Sequence, residues 1–200
     1  MFDPTFIGIY DKALSSFQCK EIIEYIESRE LIKGFHHICN EEELGDVVDN
    51  NIKDDWEVPH EDTYFPNVKN HDLYLIKALG KATLQYRESY MDVDRTSHWR
   101  HCDAYNLQKY EPGQGYHSLH CENGGPGNHR ILAWMVYLNT VTDRGETYFS
   151  SYDRFVKAKE GRLVIWPAFW THCHKGIVSK TQTKYIATGW YEYITDADKT

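Results

Sequence analysis

Residues 131–149 read Ile-Leu-Ala-Trp-Met-Val-Tyr-Leu-Asn-Thr-Val-Thr-Asp-Arg-Gly-Glu-Thr-Tyr-Phe. Ile131–Asn139 is a short apolar run of bulky and aromatic residues. Thr142–Gly145 holds turn formers, and Glu146–Phe149 resumes the first texture. This is a strand, a turn and a strand. Working outward, Ala104–Tyr110, Arg162–Trp166, Cys173–Val178 and Tyr185–Tyr193 have the same character. Glu111-Pro112-Gly113, Asn123-Gly124-Gly125-Pro126-Gly127 and Lys159-Glu160-Gly161 separate them. Short strands at this spacing predict an antiparallel sandwich or barrel after residue 100.

Upstream the pattern changes. Leu14–Arg29 predicts an amphipathic helix and its entry, with Ser15 or Ser16 as the cap and Phe17, Ile22, Ile23 and Ile26 on the apolar side. His71–Tyr90 predicts a second helix, with Leu73, Leu75, Ile76, Leu79, Leu84 and Tyr86 as apolar members. Gly34–Pro66 is polar and punctuated by Asn and Pro, and it predicts a long loop. The expected organisation is one domain over 1–200. Residues 1–100 supply helical support and an acidic loop, and 101–195 form the barrel core.

A chain of 200 residues suits a single core. Aromatics make up 14% of it, which excludes disorder for its bulk. The formal charge is -8. Between Glu41 and Asp62 stand ten acids and one base, Lys53, so the rest is near neutral. No nucleic-acid partner is expected from that balance. The same charged segment is expected to form a mobile cover over the barrel mouth. No run approaches the ~18 apolar residues of a membrane span. The N-terminus shows no basic cluster before an apolar stretch, so a cytoplasmic location is expected. The five cysteines form no C-x-x-C pair. That argues against a disulfide framework and a thiolate zinc site.

Eleven histidines exceed what packing requires. Along Tyr116-His117-Ser118-Leu119-His120-Cys121-Glu122, an extended backbone points His120 and Glu122 to one face and Cys121 to the other. Along Trp170-Thr171-His172-Cys173-His174, the same period pairs His172 with His174. Either could complete a two-histidine, one-carboxylate set with His120 and Glu122. Such a set leaves open positions and suits Fe(II). Ligand types alone also admit zinc, although the H-E-x-x-H peptidase motif is absent.

The stretch Tyr110-Glu111-Pro112-Gly113-Gln114-Gly115-Tyr116, followed by His120-x-Glu122, resembles the Fe(II)- and 2-oxoglutarate-dependent oxygenases, in particular their prolyl 4-hydroxylase-like branch. Tyr137-Leu138-Asn139 and Gly145-Glu146-Thr147 are similar to two further pieces of that branch. So are Trp166-Pro167-Ala168 through His174, then Lys184-Tyr185 and Trp190. The likeness runs from about Asn106 to Tyr193. It departs at Glu122, where the branch usually has Asp.

The resemblance implies a mainly β fold with flanking helices, a double-stranded β-helix (a jelly-roll, cupin-like barrel). It implies His120, Glu122 and His174 as metal and catalytic residues, because the third ligand stands ten residues before the basic residue, Lys184. His172 is then expected near the ligands or facing substrate. Lys184 is implied as the partner of the co-substrate's C5-carboxylate, with Tyr110 and Tyr137 beside it. Thr147 and Trp190 are expected as packing around the pocket, and Arg130 as a substrate contact near the mouth. The implied activity is hydroxylation of a C–H bond with conversion of 2-oxoglutarate to succinate and carbon dioxide, with ascorbate as reductant. The substrate would be a small molecule or a peptide, with a prolyl residue as the branch-level candidate. The competing reading is a noncatalytic jelly roll that binds a metal or a partner protein.

Overall fold

A computed structural model describes residues 3–39, 44–67 and 69–194. The elements in chain order are β1 (Gly8–Tyr10), α1 (Ser16–Glu27), β2 (Ile32–Lys33), β3 (His36–Cys39), β4 (Leu44–Val47), β5 (Lys53–Asp54), β6 (Trp56–Glu57) and α2 (Asn70–Ser89). They continue as β7 (Trp99–Tyr110), β8 (Gly115–Tyr116), β9 (Arg130–Tyr137), β10 (Thr147–Phe149), β11 (Arg154–Val156), β12 (Leu163–Pro167), β13 (His174–Gly176) and β14 (Lys184–Tyr193).

The largest sheet has the order β1-β12-β9-β14-β7-β6-β2, and a smaller one the order β11-β10-β13. Every pairing in them is antiparallel. Alternation along the strands splits the large sheet into two faces. Tyr105, Leu107, Leu132, Trp134, Val136, Leu163, Ile165 and Ala187 join the buried cluster shared with α1 and α2. Tyr110, Ala133, Met135, Tyr137, Val164, Trp166 and Ile186 cluster with Phe149 and Val156 of the smaller sheet. The helices therefore brace the outer face, and the inner faces of the two sheets enclose the barrel interior.

The helices form where the periodicity places them, with adjusted faces. In α1 the Ser15 hydroxyl accepts from the Gln18 N–H, and Gln18 Oε1 accepts from the Ser15 N–H, a reciprocal cap. Cys19, Ile22 and Ile26 are buried, whereas Phe17, expected inside, is 64% exposed. In α2 the buried stripe is His71, Asp72, Leu75, Ala78, Leu79, Ala82 and Tyr86. Leu73 and Leu84 lie on the exposed side. The buried polar end of α2 is satisfied locally: Asp72 accepts from the Lys69 N–H and from the Tyr105 hydroxyl, which also bonds His71.

Two expectations change. The first hundred residues are more than helical support, because β1 forms one edge of the large sheet and β6 with β2 the other. The polar stretch 34–66 also carries four short strands: β3 pairs with β4, β5 with β8, and β6 with β2 and β7. Of the 41–62 segment, residues 41–43 lie outside the described residues. The rest carries ladder hydrogen bonds and ion pairs, and Val58 is buried in the core shared with the helices. Lys53, Asp55 and Glu57 are buried there, with Lys53 Nζ 2.5 Å from Glu57 Oε1 and 3.6 Å from Asp55 Oδ2. Among the described residues, no helix is long and apolar enough to cross a membrane.

Candidate active site

His120 and His174 face each other across an antiparallel bridge. The His120 N–H donates to the His174 carbonyl at 3.0 Å, and the His174 N–H donates back at 2.8 Å. The segment around His120 is thus a single bridge rather than a strand, yet its extended backbone turns His120 and Glu122 the same way. The Glu122 and Asn123 N–H groups both donate to the Ala168 carbonyl, which pins the segment beyond the bridge.

Three ligand-type side chains converge there. One donor atom each from His120, Glu122 and His174 lies within 4.8 Å of the others. Glu122 Oε1 is 3.5 Å from His120 Nε2 and 3.4 Å from His174 Nε2. Each imidazole is oriented by its other nitrogen. His120 Nδ1 donates to the Ser118 carbonyl at 3.1 Å, and His174 Nδ1 donates to the His172 carbonyl at 3.0 Å. A carbonyl only accepts, so each Nδ1 carries a proton and each Nε2 faces Glu122. Burial and the neighbouring His120 lower the His174 pKa. Burial opposes the charge on Glu122, but the hydrogen bonds from the two histidines prevail and hold it well below the usual carboxylate range. Two imidazoles and one carboxylate form a donor set that fits a ferrous ion.

The longer carboxylate in place of Asp has its own support. Glu122 Oε2 accepts from Trp190 Nε1 at 2.8 Å and lies 3.6 Å from Arg130. The Arg130 guanidinium stacks on the Trp190 ring at 3.6 Å from its centroid. Trp190 is thus a hydrogen-bond donor to the carboxylate, beyond the packing expected of it. His172 takes a different place from His174. It ends a short 3-10 turn, Trp170–His172, which breaks the strand period. Its Nε2 reaches the Thr5 carbonyl at 2.8 Å and its Nδ1 the Thr171 hydroxyl at 2.9 Å. Only its carbonyl serves His174.

The cluster opens into a cavity of about 440 Å³ inside the barrel. Alternate residues of β7 (Asn106, Gln108, Tyr110) and β14 (Lys184, Ile186, Thr188, Trp190) line it, with Thr147 and Tyr116 opposite. Lys184 is buried, and its Nζ lies 4.6 Å from the centre of the Tyr110 ring. Among the described residues, no carboxylate comes within ion-pair distance of it. Burial lowers its pKa to about 8, against the pull of Asp55 and Glu146. A buried ammonium without a counter-ion, in the cavity that the ligand cluster also lines, fits the distal carboxylate of a dicarboxylic acid.

The two tyrosines part company. Tyr110 lines the cavity, and its hydroxyl donates to Gln108 Oε1 at 3.1 Å. Tyr137 is fully buried behind the wall. Its hydroxyl donates to the Val156 carbonyl and pairs with the Thr147 hydroxyl at 2.6 Å. It therefore reaches the cavity through Thr147 and not directly. Sequence reasoning passed over Gln108, which donates to Glu57 Oε1 at 2.6 Å and joins Tyr110 to the Lys53 cluster. The signal was present: Asn106, Gln108 and Tyr110 share one strand face and interrupt its apolar character. A second hollow, about 680 Å³, lies between α2 and the start of β7, with Leu79, Leu84, Trp99 and Tyr191 among its walls. It does not border the His120–Glu122–His174 cluster.

Residues 105–192 match the family model described as the 2OG-Fe(II) oxygenase superfamily. That match covers somewhat under half of the chain and takes in the His120–Glu122–His174 cluster; it supports a 2-oxoglutarate-dependent dioxygenase, a class whose chemistry uses Fe(II) and 2-oxoglutarate. Its fold is shared by solved prolyl hydroxylases. A viral collagen prolyl hydroxylase from Paramecium Bursaria Chlorella virus-1 is 18% identical, with 96% of this chain and 98% of that one covered and a TM-score of 0.64. A Pseudomonas putida prolyl-4-hydroxylase is 14% identical, covering 96% and 95%, with a TM-score of 0.69. A Trichoplax adhaerens prolyl hydroxylase, solved with a hypoxia inducible factor peptide fragment, is 16% identical, covering 94% and 84%, with a TM-score of 0.63. No curated protein matches the sequence. The double-stranded β-helix expected from the sequence is the fold found, and the noncatalytic reading is not favoured.

Proposed function

We propose that the chain hydroxylates a prolyl residue in a peptide, with His120, Glu122 and His174 holding the iron and Lys184 holding the C5-carboxylate of 2-oxoglutarate. The observation that carries the site assignment is the pairing of two features in one cavity. A preorganised two-histidine, one-carboxylate cluster and a buried lysine, with no carboxylate at ion-pair distance among the described residues, line the same cavity. When bound, the iron and 2-oxoglutarate supply the oxidative decarboxylation that delivers one oxygen atom to a C–H bond and leaves succinate and carbon dioxide.

The protein's part is orientation and exclusion of water. The Ser118 and His172 carbonyls hold the imidazoles in the ligating tautomer. Trp190 and Arg130 hold one oxygen of Glu122, leaving the other toward the histidines. Lys184 and Tyr110 set the depth at which a five-carbon diacid comes to rest. The peptide reading is supported at the cavity wall, where Arg130, stacked on Trp190, offers N–H donors for peptide carbonyls. Cytoplasmic action, a single domain over 1–200 and ascorbate as reductant belong to the same reading.

The test has two parts. His120→Ala, Glu122→Ala and His174→Ala are each expected to lose iron binding and 2-oxoglutarate turnover with the fold kept, while His172→Ala keeps iron. Iron binding lost in His172→Ala and kept in His174→Ala would reverse the ligand assignment. A panel of proline-containing peptides, screened by mass for the gain of one oxygen atom, tests the substrate. Oxygen gained only on peptides lacking proline, or only on free metabolites, would sink the prolyl reading and leave the ligand set standing.

A further inference from the structure

The bridge that joins the two histidines has a second consequence. His120 and His174 exchange both backbone hydrogen bonds, so they are a hydrogen-bonded pair of an antiparallel ladder. The next pair along such a ladder is one residue forward on one segment and one back on the other. It is a non-hydrogen-bonded pair, with Cα atoms about 4.5 Å apart and side chains on one face. Here that pair is Cys121 and Cys173. Both are free thiols and both are half-buried. The Cys121 thiol has Cys173 as a neighbour, and it also lies 3.7 Å from the Asn123 carbonyl. The Cys173 carbonyl accepts from the Ser150 N–H and hydroxyl. A disulfide accepts Cα separations of roughly 4.4–6.8 Å, so closure needs little backbone movement.

We propose that Cys121 and Cys173 are a redox-active dithiol, closed to a disulfide by low-molecular-weight disulfides such as oxidised glutathione. The Cys121 thiolate attacks one sulfur of the oxidant, breaking its S–S bond and releasing one small thiolate. The Cys173 thiolate then attacks the Cys121 sulfur of the mixed disulfide and releases the second. The protein loses two electrons and two protons, and the oxidant becomes two small thiols. The new bond staples the segment carrying His120 and Glu122 to the segment carrying His174, across a loop of about fifty residues. Because the ladder geometry already suits it, the disulfide leaves the histidine bridge in place and stabilises the barrel. The inference rests on backbone register and does not depend on the metal or substrate assignment.

The experiment uses the iron-loaded full chain, equilibrated in buffers of graded oxidised-to-reduced glutathione ratio and then quenched by alkylation. Non-reducing digestion and mass spectrometry are expected to find one peptide pair joined through Cys121 and Cys173. That product is two hydrogens lighter than the dithiol and is reversed by dithiothreitol. The oxidised chain is expected to melt roughly 5–10 °C above the reduced one. Cys121→Ser and Cys173→Ser should each abolish both the cross-link and the shift. A cross-link to any other cysteine overturns the proposal, as does a glutathione adduct that persists on either residue or thiols that stay reduced in fully oxidised glutathione. A Cys121–Cys173 bond with an unchanged or lower melting temperature overturns the staple. If a serine variant folds poorly, the oxidised and reduced forms of the parent chain decide the matter alone.

Discussion

At the scale of single residues, chemistry in the cavity depends on side chains whose polar atoms are committed in advance. Lys184 has its charge buried, with no carboxylate at ion-pair distance among the described residues, so a carboxylate there meets a fixed cation. Removing one member of a buried, hydrogen-bonded charge pair costs about 2–5 kcal/mol. Lys184→Ala is therefore expected to weaken 2-oxoglutarate binding by roughly 30-fold to several thousand-fold, with iron binding retained. Anaerobic titration of the iron-loaded protein measures it, and a loss within about threefold would remove Lys184 from the site. The same residue sets a pH dependence. Its pKa stands at about 8 before the diacid binds, and a bound carboxylate raises it. Binding is thus fully present below pH 8 and weakens as pH rises through 8, with a proton taken up on binding above it. Lys184→Arg should lose that dependence over the same range. Trp190 tests the support of the longer carboxylate. Trp190→Phe keeps a ring under Arg130 but loses the donor to Glu122 Oε2, and about a 10–100-fold loss of iron affinity is expected. Unchanged iron affinity by titration would show that the hydrogen bond does not orient Glu122.

At the scale of elements, β14 carries the site because both its faces are committed. Its inner residues line the cavity, while its outer backbone lies against the β9 side chain that anchors the helical layer. Gly189 is where these demands meet: a Cβ built there would stand 2.6 Å from Trp134 Cζ2, on a fully buried ring. Gly189→Ala forces the indole or the strand to move, and overpacking of this kind costs about 1–3 kcal/mol. The expected result is a lower denaturation midpoint with cavity chemistry preserved in the fraction that folds. A midpoint equal to the parent's would mean that Trp134 yields freely. The element that departs most from its sequence reading is the 44–57 stretch. Its polar composition hides three short strands, β4, β5 and β6, that pair with β3, β8 and β7, and alternation on so few residues leaves no pattern to read.

At the scale of the molecule, the two halves of the chain are joined by a buried polar network. Lys53 bonds Glu57 and approaches Asp55, and Glu57 also accepts from Gln108, which accepts in turn from Tyr110 on the cavity wall. Breaking a buried ion pair by deleting one partner costs about 3–5 kcal/mol, so Lys53→Met is expected to destabilise the fold by that order in chemical denaturation. Asp55 adds a pH term. Burial pushes its pKa up to about 7, with Lys53 opposing and Glu57 adding to the rise. The folded chain therefore holds a proton that the unfolded chain has released between about pH 4 and 7, and stability falls across that window as pH rises. Asp55→Asn, which cannot ionise, should flatten the fall. An equal slope in the two proteins would assign the effect elsewhere.

The amino-acid sequence determined what depends on neighbours along the chain. Strand-type runs from Ala104 to Tyr193, the capped helix at Ser15, and the set His120, Glu122, His172 and His174 follow from period, capping chemistry and ligand type. These are local rules that hold before the chain meets itself. Tertiary structure decided everything that turns on a distant partner. Period two treated His172 and His174 alike; the short turn at 170–172 sends the His172 ring to the Thr5 carbonyl, a contact 167 residues away. Tyr110 and Tyr137 read alike until register placed one on the cavity wall and the other behind Thr147. Ten acids in one stretch read as a mobile charged cover, because nothing local shows that Lys53, Gln108 and Tyr110 gather around Asp55 and Glu57. Trp190 looked like packing until the fold carried Glu122 to its indole N–H. Composition and spacing record which groups are available; only the folded chain's long-range pairing records which of them meet, since burial and electrostatics act through space and not along the sequence.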